Sequence, residues 1–220
     1  MAQITLYGPR EAPFVLKVEL ALVLKKLDFT LEEPQSPEDY RRWSPETGLL
    51  PVIDVDGTRV HDSSAILDFL DERFPEPPLQ SSDPKLASSQ RRLESWAEET
   101  FAFYWMSYLR ALVRGDEAAS EDSPDPPRTG SRSRLSRRKK TAPLNAQEGL
   151  GKEFGQRLDD LVTFLGSRPF FYSDRVGRAD LSVYSFLNYI PGTAGPVVAL
   201  LESRQPLVDL MTRVEAAVRS

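Results

Sequence analysis

Asp62 and Ser63 stand directly before an apolar pattern at helical spacing: Ala65, Ile66, Phe69, Leu70, Arg73 and Phe74. The first turn of a helix has unpaired N–H groups and partial positive charge, so a carboxylate is stabilised there. A serine hydroxyl can donate a further bond, and an aspartate beside it can accept from an ammonium. Together they would suit the α-amino and α-carboxylate groups of an amino acid. The plainer possibility is an ordinary helix cap. The rest of the chain narrows the chemistry further. It has no cysteine, so disulfides, cysteine-based metal or redox sites and a protein thiol nucleophile are excluded. His61 is the only histidine and no serine sits in a G-x-S-x-G elbow, so a Ser-His-Asp triad has little to draw on. Thiol chemistry, if any, must come from a bound small molecule.

The 220 residues, 40% of them hydrophobic, suffice for one large or two small domains. A net charge of −5 argues against a nucleic-acid surface over the whole protein. No apolar run is long enough to span a bilayer and no signal-peptide pattern opens the chain, so a cytoplasmic protein is expected.

The elements that must hold Asp62 and Ser63 follow from the pattern around them. Val52, Ile53 and Val55 form a β-rich run, and Asp56-Gly57 is a two-residue hairpin signal. Thr58-Arg59-Val60 pairs back, and Pro75 with Pro77-Pro78 stops the helix that follows. Upstream, residues 3–7 read as a strand with Ile4 and Leu6 apolar. Pro13 opens a helix reaching about Lys26, where its missing N–H costs nothing. Phe29, Leu31 and Glu33 alternate as a second strand, and residues 36–43 read as a loop with a short helix. The order β-α-β-(α)-β-β-α suits a thioredoxin-like domain over residues 1–75.

Leu50-Pro51-Val52, the D-G hairpin and D-S-S-A-I closely resemble the glutathione-binding half of the soluble glutathione transferase superfamily. The stretch L-Y-G-P-x-x-A-P-F-V-x-K-V-x-L-A-L likewise resembles that family's first strand and helix. The resemblance implies a cis-proline at Pro51, with the Leu50 backbone pairing with the cysteinyl part of glutathione. It implies that Asp62 and Ser63 hold the γ-glutamyl end. It also implies a thioredoxin-like α/β N-terminal domain followed by an all-α C-terminal domain. Glutathione would be a co-substrate, no metal would be needed, and the protein would form a homodimer.

Two positions depart from the family pattern. The catalytic Ser or Cys before Pro-Phe corresponds to Ala12, or to Glu11 in another register; neither donates a hydroxyl. The thiol could instead be stabilised by Tyr7, where the tyrosine-type branch carries its hydroxyl, by N–H groups opening the first helix, or by Arg10. The lysine two residues before the proline, which binds the glycyl carboxylate, corresponds to Leu49; Trp43, Arg41 or Arg42 are candidate replacements.

After a Pro-rich linker over residues 76–84, the pattern turns helical to residue 220. Residues 85–115 carry Leu93, Trp96, Phe101, Tyr104, Trp105, Tyr108 and Leu112 at helical spacings. Most of these aromatics must pack on other helices. Tyr104, Trp105 and Tyr108 are the candidate wall of a pocket for a small hydrophobic electrophile. Residues 115–143 pass from an acidic to a basic block without apolar periodicity and read as a self-screening charged insertion. Residues 144–165 resume a helix, and V-G-R-A-D-L resembles the family's buried capping box, with Gly177 at the cap and Asp180 structural. The expected activity is conjugation of glutathione to an electrophile, a detoxification chemistry. A non-catalytic binding protein on the same fold is the alternative, favoured by Ala12 and Leu49. A glutathione-dependent isomerase or peroxidase is a third class that no residue selects.

Overall fold

The computed structural model of the chain describes residues 2–108, 144–189 and 195–219. The charged insertion expected over residues 115–143 lies outside the described residues.

The first half contains β1 (Ile4–Tyr7), α1 (Pro13–Leu24), β2 (Thr30–Glu32), α2 (Pro37–Trp43), β3 (Val52–Val55), β4 (Thr58–His61) and α3 (Ser63–Arg73). The four strands form one mixed sheet in the order β2-β1-β3-β4. β1 is parallel to β2 and antiparallel to β3, and β4 returns along β3. Asp56 and Gly57 have φ of 52° and 85°, the paired left-handed geometry of the tight hairpin expected there. Alternation along the strands sorts side chains between two faces. Ile4, Leu6, Ile53 and Val55 join the main core with Val15, Val18 and Leu22 of α1 and Ile66, Leu67 and Leu70 of α3. Tyr7 stands opposite Val52 on the other face, where its ring packs 4.9 Å from that of Trp43 in α2.

α4 (Pro84–Trp96) opens the second half, its first N–H groups capped by Asp83. The sequence predicts one helix over residues 85–115. Instead a π-helical turn, Ala97–Phe101, interrupts it before a helical stretch over residues 102–108, α5. α6 (Leu144–Leu165), α7 (Arg178–Asn188), α8 (Gly195–Glu202) and α9 (Gln205–Arg219) complete a helical unit in which α7 is the central, buried rod. This is a thioredoxin-like α/β half followed by an all-helical half.

The start of α7 is fixed by one carboxylate. Asp180 is fully buried, accepting the Phe171 N–H at 2.8 Å and the Gly177 N–H at 2.9 Å. Glycine is needed at the cap for space, since a Cβ on Gly177 would sit 2.7 Å from the Leu79 carbonyl oxygen. Burial pushes the Asp180 carboxyl up to about 7, against the pull of these N–H groups.

The two halves are joined by buried ions. Lys17 of α1, 1% exposed, reaches Glu94 of α4 at 3.0 Å and also bonds Glu98 in the π-turn. Ser64 of α3 donates to Glu94 at 2.8 Å. Arg178 of α7, also 1% exposed, bonds the other Glu94 oxygen, Asp68 of α3 and the Ser64 carbonyl. Burial pushes the Glu94 carboxyl up, but Lys17 and Arg178 outweigh it and hold it below the usual carboxylate range. At Glu98 burial wins over Lys17, helped by the negative charges of Glu94 and Asp62, and the carboxyl is raised.

Removing one member of such a cluster leaves an uncompensated buried charge. Lys17→Met is therefore expected to cost about 3–5 kcal/mol of stability, read as a shift of the urea midpoint. Asp180→Ala strands two buried N–H groups and is expected to cost about 2–4 kcal/mol in the same measurement. The native Asp180 carboxyl is raised from 3.8, so the folded state binds more protons between 3.8 and about 7. Its contribution to stability is complete below that window and lost as pH rises through it. Asp180→Asn should flatten this slope in urea titrations across the same pH range.

Candidate functional site

Asp62 is the cap of α3 and sits at φ 70°, a conformation few non-glycine residues adopt. Its carboxylate Oδ1 accepts from the Ser64 N–H at 2.9 Å and the Ala65 N–H at 3.0 Å. Its carbonyl accepts from the Ile66 N–H at 2.8 Å. Three of the first four N–H groups of α3 are thus satisfied by one residue. The Ser63 N–H is the fourth, and it has no partner among the described residues. Neither does the Ser63 hydroxyl, although the residue is 3% exposed. Ser63 therefore offers two donors side by side, while Oδ2 of Asp62 remains an open acceptor.

Across from this helix start, the loop into β3 brings up Leu50 and Pro51 through a cis peptide bond. Neither the N–H nor the C=O of Leu50 has a partner among the described residues, so its backbone is open to an extended ligand chain. The close packing of this loop requires glycine at position 8. A Cβ there would lie 2.4 Å from Val15 of α1 and 3.6 Å from Leu50.

Leu50, Pro51, Asp62 and Ser63 share one cavity of about 370 Å³, whose wall also includes Phe14, Thr47, Leu49 and His61. It joins an amino-acid-like pole at Asp62 and Ser63 to an apolar rim at Phe14 and Leu49. Glu98 adds to the negative side of this pole, since Asp62 is close enough to raise its carboxyl. The site can hold an ammonium, a carboxylate and an extended peptide unit together.

The other sequence-predicted residues lie elsewhere. Tyr7 is on the α2 side of the sheet, between Trp43 and the Arg59 guanidinium, and does not line this cavity. Arg10 pairs with Glu19 at 3.1 Å. Arg42 pairs with Asp39 at 2.9 Å and lies over Trp43; neither these residues nor Arg41 lines the cavity. Trp105 and Tyr108 are core residues, both packed on Phe154 at 5.4 and 5.9 Å between ring centroids. Burial raises the Tyr108 hydroxyl. Tyr104 is half-buried beneath the Arg157 guanidinium. Trp105 and Tyr108 connect to Phe14 on the cavity wall through a chain of rings, Phe154–Phe101–Phe186–Phe14, spaced 5.3, 6.3 and 5.5 Å. The sequence reading missed the Lys17–Glu94–Glu98–Arg178 cluster behind Asp62. Its one signal is a lysine inside the apolar run of α1, between Leu16 and Val18.

Residues 13–114 match the family model of the glutathione S-transferase N-terminal domain. The isoprene-epoxide–glutathione S-transferase of Rhodococcus sp. strain AD45 is 25% identical over 96% of this chain and 97% of its own length. Glutathione S-transferase Z2 of Arabidopsis thaliana is 38% identical over 37% of this chain and 39% of its own. Among solved structures, the Tau class glutathione S-transferase of mango, Mangifera indica, superposes with a TM-score of 0.73 at 19% identity, covering 99% of this chain and 91% of that one. The likeness to the mango enzyme concerns the fold; the family model and the sequence relatives speak to ancestry. Residues 13–114 are a glutathione S-transferase N-terminal domain, and the chain as a whole is a glutathione transferase-like protein.

Proposed function

We propose that this protein binds glutathione in the cavity between Leu50 and Ser63 and transfers its thiolate to a small hydrophobic electrophile. One observation carries the reading. The free backbone of Leu50, the two donors of Ser63 and the open acceptor of Asp62 surround one cavity. The γ-glutamyl carboxylate would take the Ser63 N–H and hydroxyl, its ammonium the Asp62 carboxylate, and the cysteinyl unit the Leu50 backbone. The names of the relatives agree with glutathione as the co-substrate.

A cysteine-like thiol titrates near ~8.5, and lowering that by two units takes about 2.7 kcal/mol. Of the three candidate sources, the N-terminus of α1 is the one we assign. Phe14, in its first turn, lines the cavity, whereas Tyr7 is engaged by Trp43 and Arg10 by Glu19. Ala12 is the cap of that helix and makes no side-chain bond to it. The electrophile would meet the thiolate at the apolar rim by Phe14 and Leu49, with Tyr104, Trp105 and Tyr108 stiffening the wall from behind. We take residues 1–75 and 85–220 as two domains joined by a linker over 76–84. The working form would be a homodimer in the cytoplasm; Phe103 and Met106, exposed on α5, are available for such contacts.

Calorimetry with glutathione tests the binding claim. Heat and a thermal shift are expected at millimolar ligand or below, and neither would appear if the reading is wrong. Asp62→Asn combined with Ser63→Ala should weaken binding by about 100-fold, the loss of two charge-assisted hydrogen bonds. The ultraviolet thiolate band of bound glutathione against pH then separates an enzyme from a binding protein: an unshifted thiol indicates the latter. Ala12→Ser adds a cap and a hydroxyl at once. It is expected to raise stability by about 1 kcal/mol and to move the thiolate band to lower pH, whereas Tyr7→Phe should leave that band in place.

A further inference from the structure

The cavity has an acidic residue, Asp62, on its wall but neither lysine nor arginine. Glutathione carries two carboxylates. Ser63 supplies donors for one of them; the position from which a lysine would reach the other is Leu49, 71% exposed at the rim. The neighbouring arginines do not substitute, because Arg10 and Arg42 are paired to Glu19 and Asp39 and stand off the wall. Two further polar side chains line the wall, Thr47 and His61.

A chain of hydrogen bonds distinguishes them. The Leu49 N–H can only donate, so at 3.2 Å the Thr47 hydroxyl oxygen accepts from it. Ser44 Oγ lies 2.9 Å from the same oxygen, and either hydroxyl can donate to the other. Ser44 Oγ also lies 3.4 Å from Nδ1 of His61. When Ser44 donates to Nδ1, the neutral imidazole carries its proton on Nε2. The loop that carries Leu49 thus also holds the His61 ring through Ser44. Thr47 is engaged by the Leu49 N–H and by Ser44, whereas Nε2 of His61 has no partner among the described residues.

We propose that His61 is the specificity-determining residue for the far end of the ligand, its Nε2–H binding the glycyl carboxylate of glutathione. Ser44 and Thr47 are positioning residues that act through it. The proposal rests on glutathione being the ligand of this cavity. It gives the single histidine of the chain a role and replaces an ammonium contact with a directed N–H donor.

The test compares glutathione with glutathione amide, in which the glycyl carboxylate is a neutral carboxamide of the same shape. Calorimetric titrations are run on the full chain and on its His61→Ala, His61→Gln and His61→Lys variants. Wild type is expected to bind glutathione about tenfold more tightly than the amide, the worth of one hydrogen bond to a charged group. His61→Ala should lose that tenfold for glutathione and bind the amide as before. His61→Lys should restore the preference for the acid, and His61→Gln should retain part of it through its amide N–H. Equal weakening of both ligands by His61→Ala, or unchanged glutathione affinity, overturns the proposal while leaving glutathione binding intact. If wild type binds neither ligand, the glutathione reading fails and this one falls with it.

Discussion

The structure depends on how a lysine and an arginine are kept charged inside it. Lys17 and Arg178 are each 1% exposed, and no well-packed apolar neighbour can compensate an ion there. Glu94 answers both, one oxygen to each, and Ser64, Asp68 and Glu98 fill the remaining directions. Because the six residues come from α1, α3, α4, the π-turn and α7, the cluster can be satisfied only when both halves are docked. The energetic gain from such a buried network is modest, because desolvation offsets attraction. Its consequence is geometric. The helix that begins with Ser63 cannot rotate or slide without unpairing Ser64 from Glu94 and Arg178.

That constraint explains the economy of the site. Asp62 satisfies three of the four first-turn N–H groups of α3 and leaves the fourth, with the Ser63 hydroxyl, turned to no partner. A solvated helix end would leave its donors to water, and a fully capped one would leave none for a ligand. Here an aspartate held at positive φ does the capping, and the ion cluster behind it keeps the end in place. Holding a residue in a sparsely populated backbone region costs of order 1–3 kcal/mol. Such geometry persists where the surroundings over-determine it, and the contacts of Ser64 do so here.

What the sequence revealed and what it hid divide along the range of the interactions. The D-G turn, the cap before α3 and the carboxylate at Asp180 are local, with partners within nine residues, so residue type and spacing predicted them. Leu50 and Pro51 are expected at the site from the family resemblance, and Asp62 and Ser63 from that and from their place before a helix; the hairpin they flank, whose register follows from its turn, brings the four to one cavity. The ion cluster spans separations of up to 114 residues, and a charged residue on an otherwise apolar helix gives no hint of its distant partner. The aromatic run from Phe101 to Trp105 covers several faces of its helix, so periodicity could not separate wall from core. A π-turn, which shifts those faces again, has no simple sequence signature. Tyr7 is expected at the site because it ends the first strand, where the tyrosine-type branch of the family carries its hydroxyl. Strand alternation puts it opposite Val52, on the face of Trp43.

The same division bears on what this site can be selected to do. The groups that would hold a glutathione-like ligand are anchored by long-range packing: Ser63 through the ion cluster, Leu50 through Gly8 and Val15. The groups that would set its reactivity and far-end specificity are local. Ala12 is one half-buried helix cap position, and Leu49 belongs to a short loop whose hydrogen bonds run to Ser44 and His61. A change at position 12 or 49 need not disturb the sheet or the helix junction, whereas a change at position 17, 64 or 94 must. Under the proposed function, binding is therefore the property the fold protects. Thiol activation and the recognition of the glycyl end would be the properties that single substitutions can alter, because Ala12 and Leu49 are where the sequence departs from the family pattern it resembles.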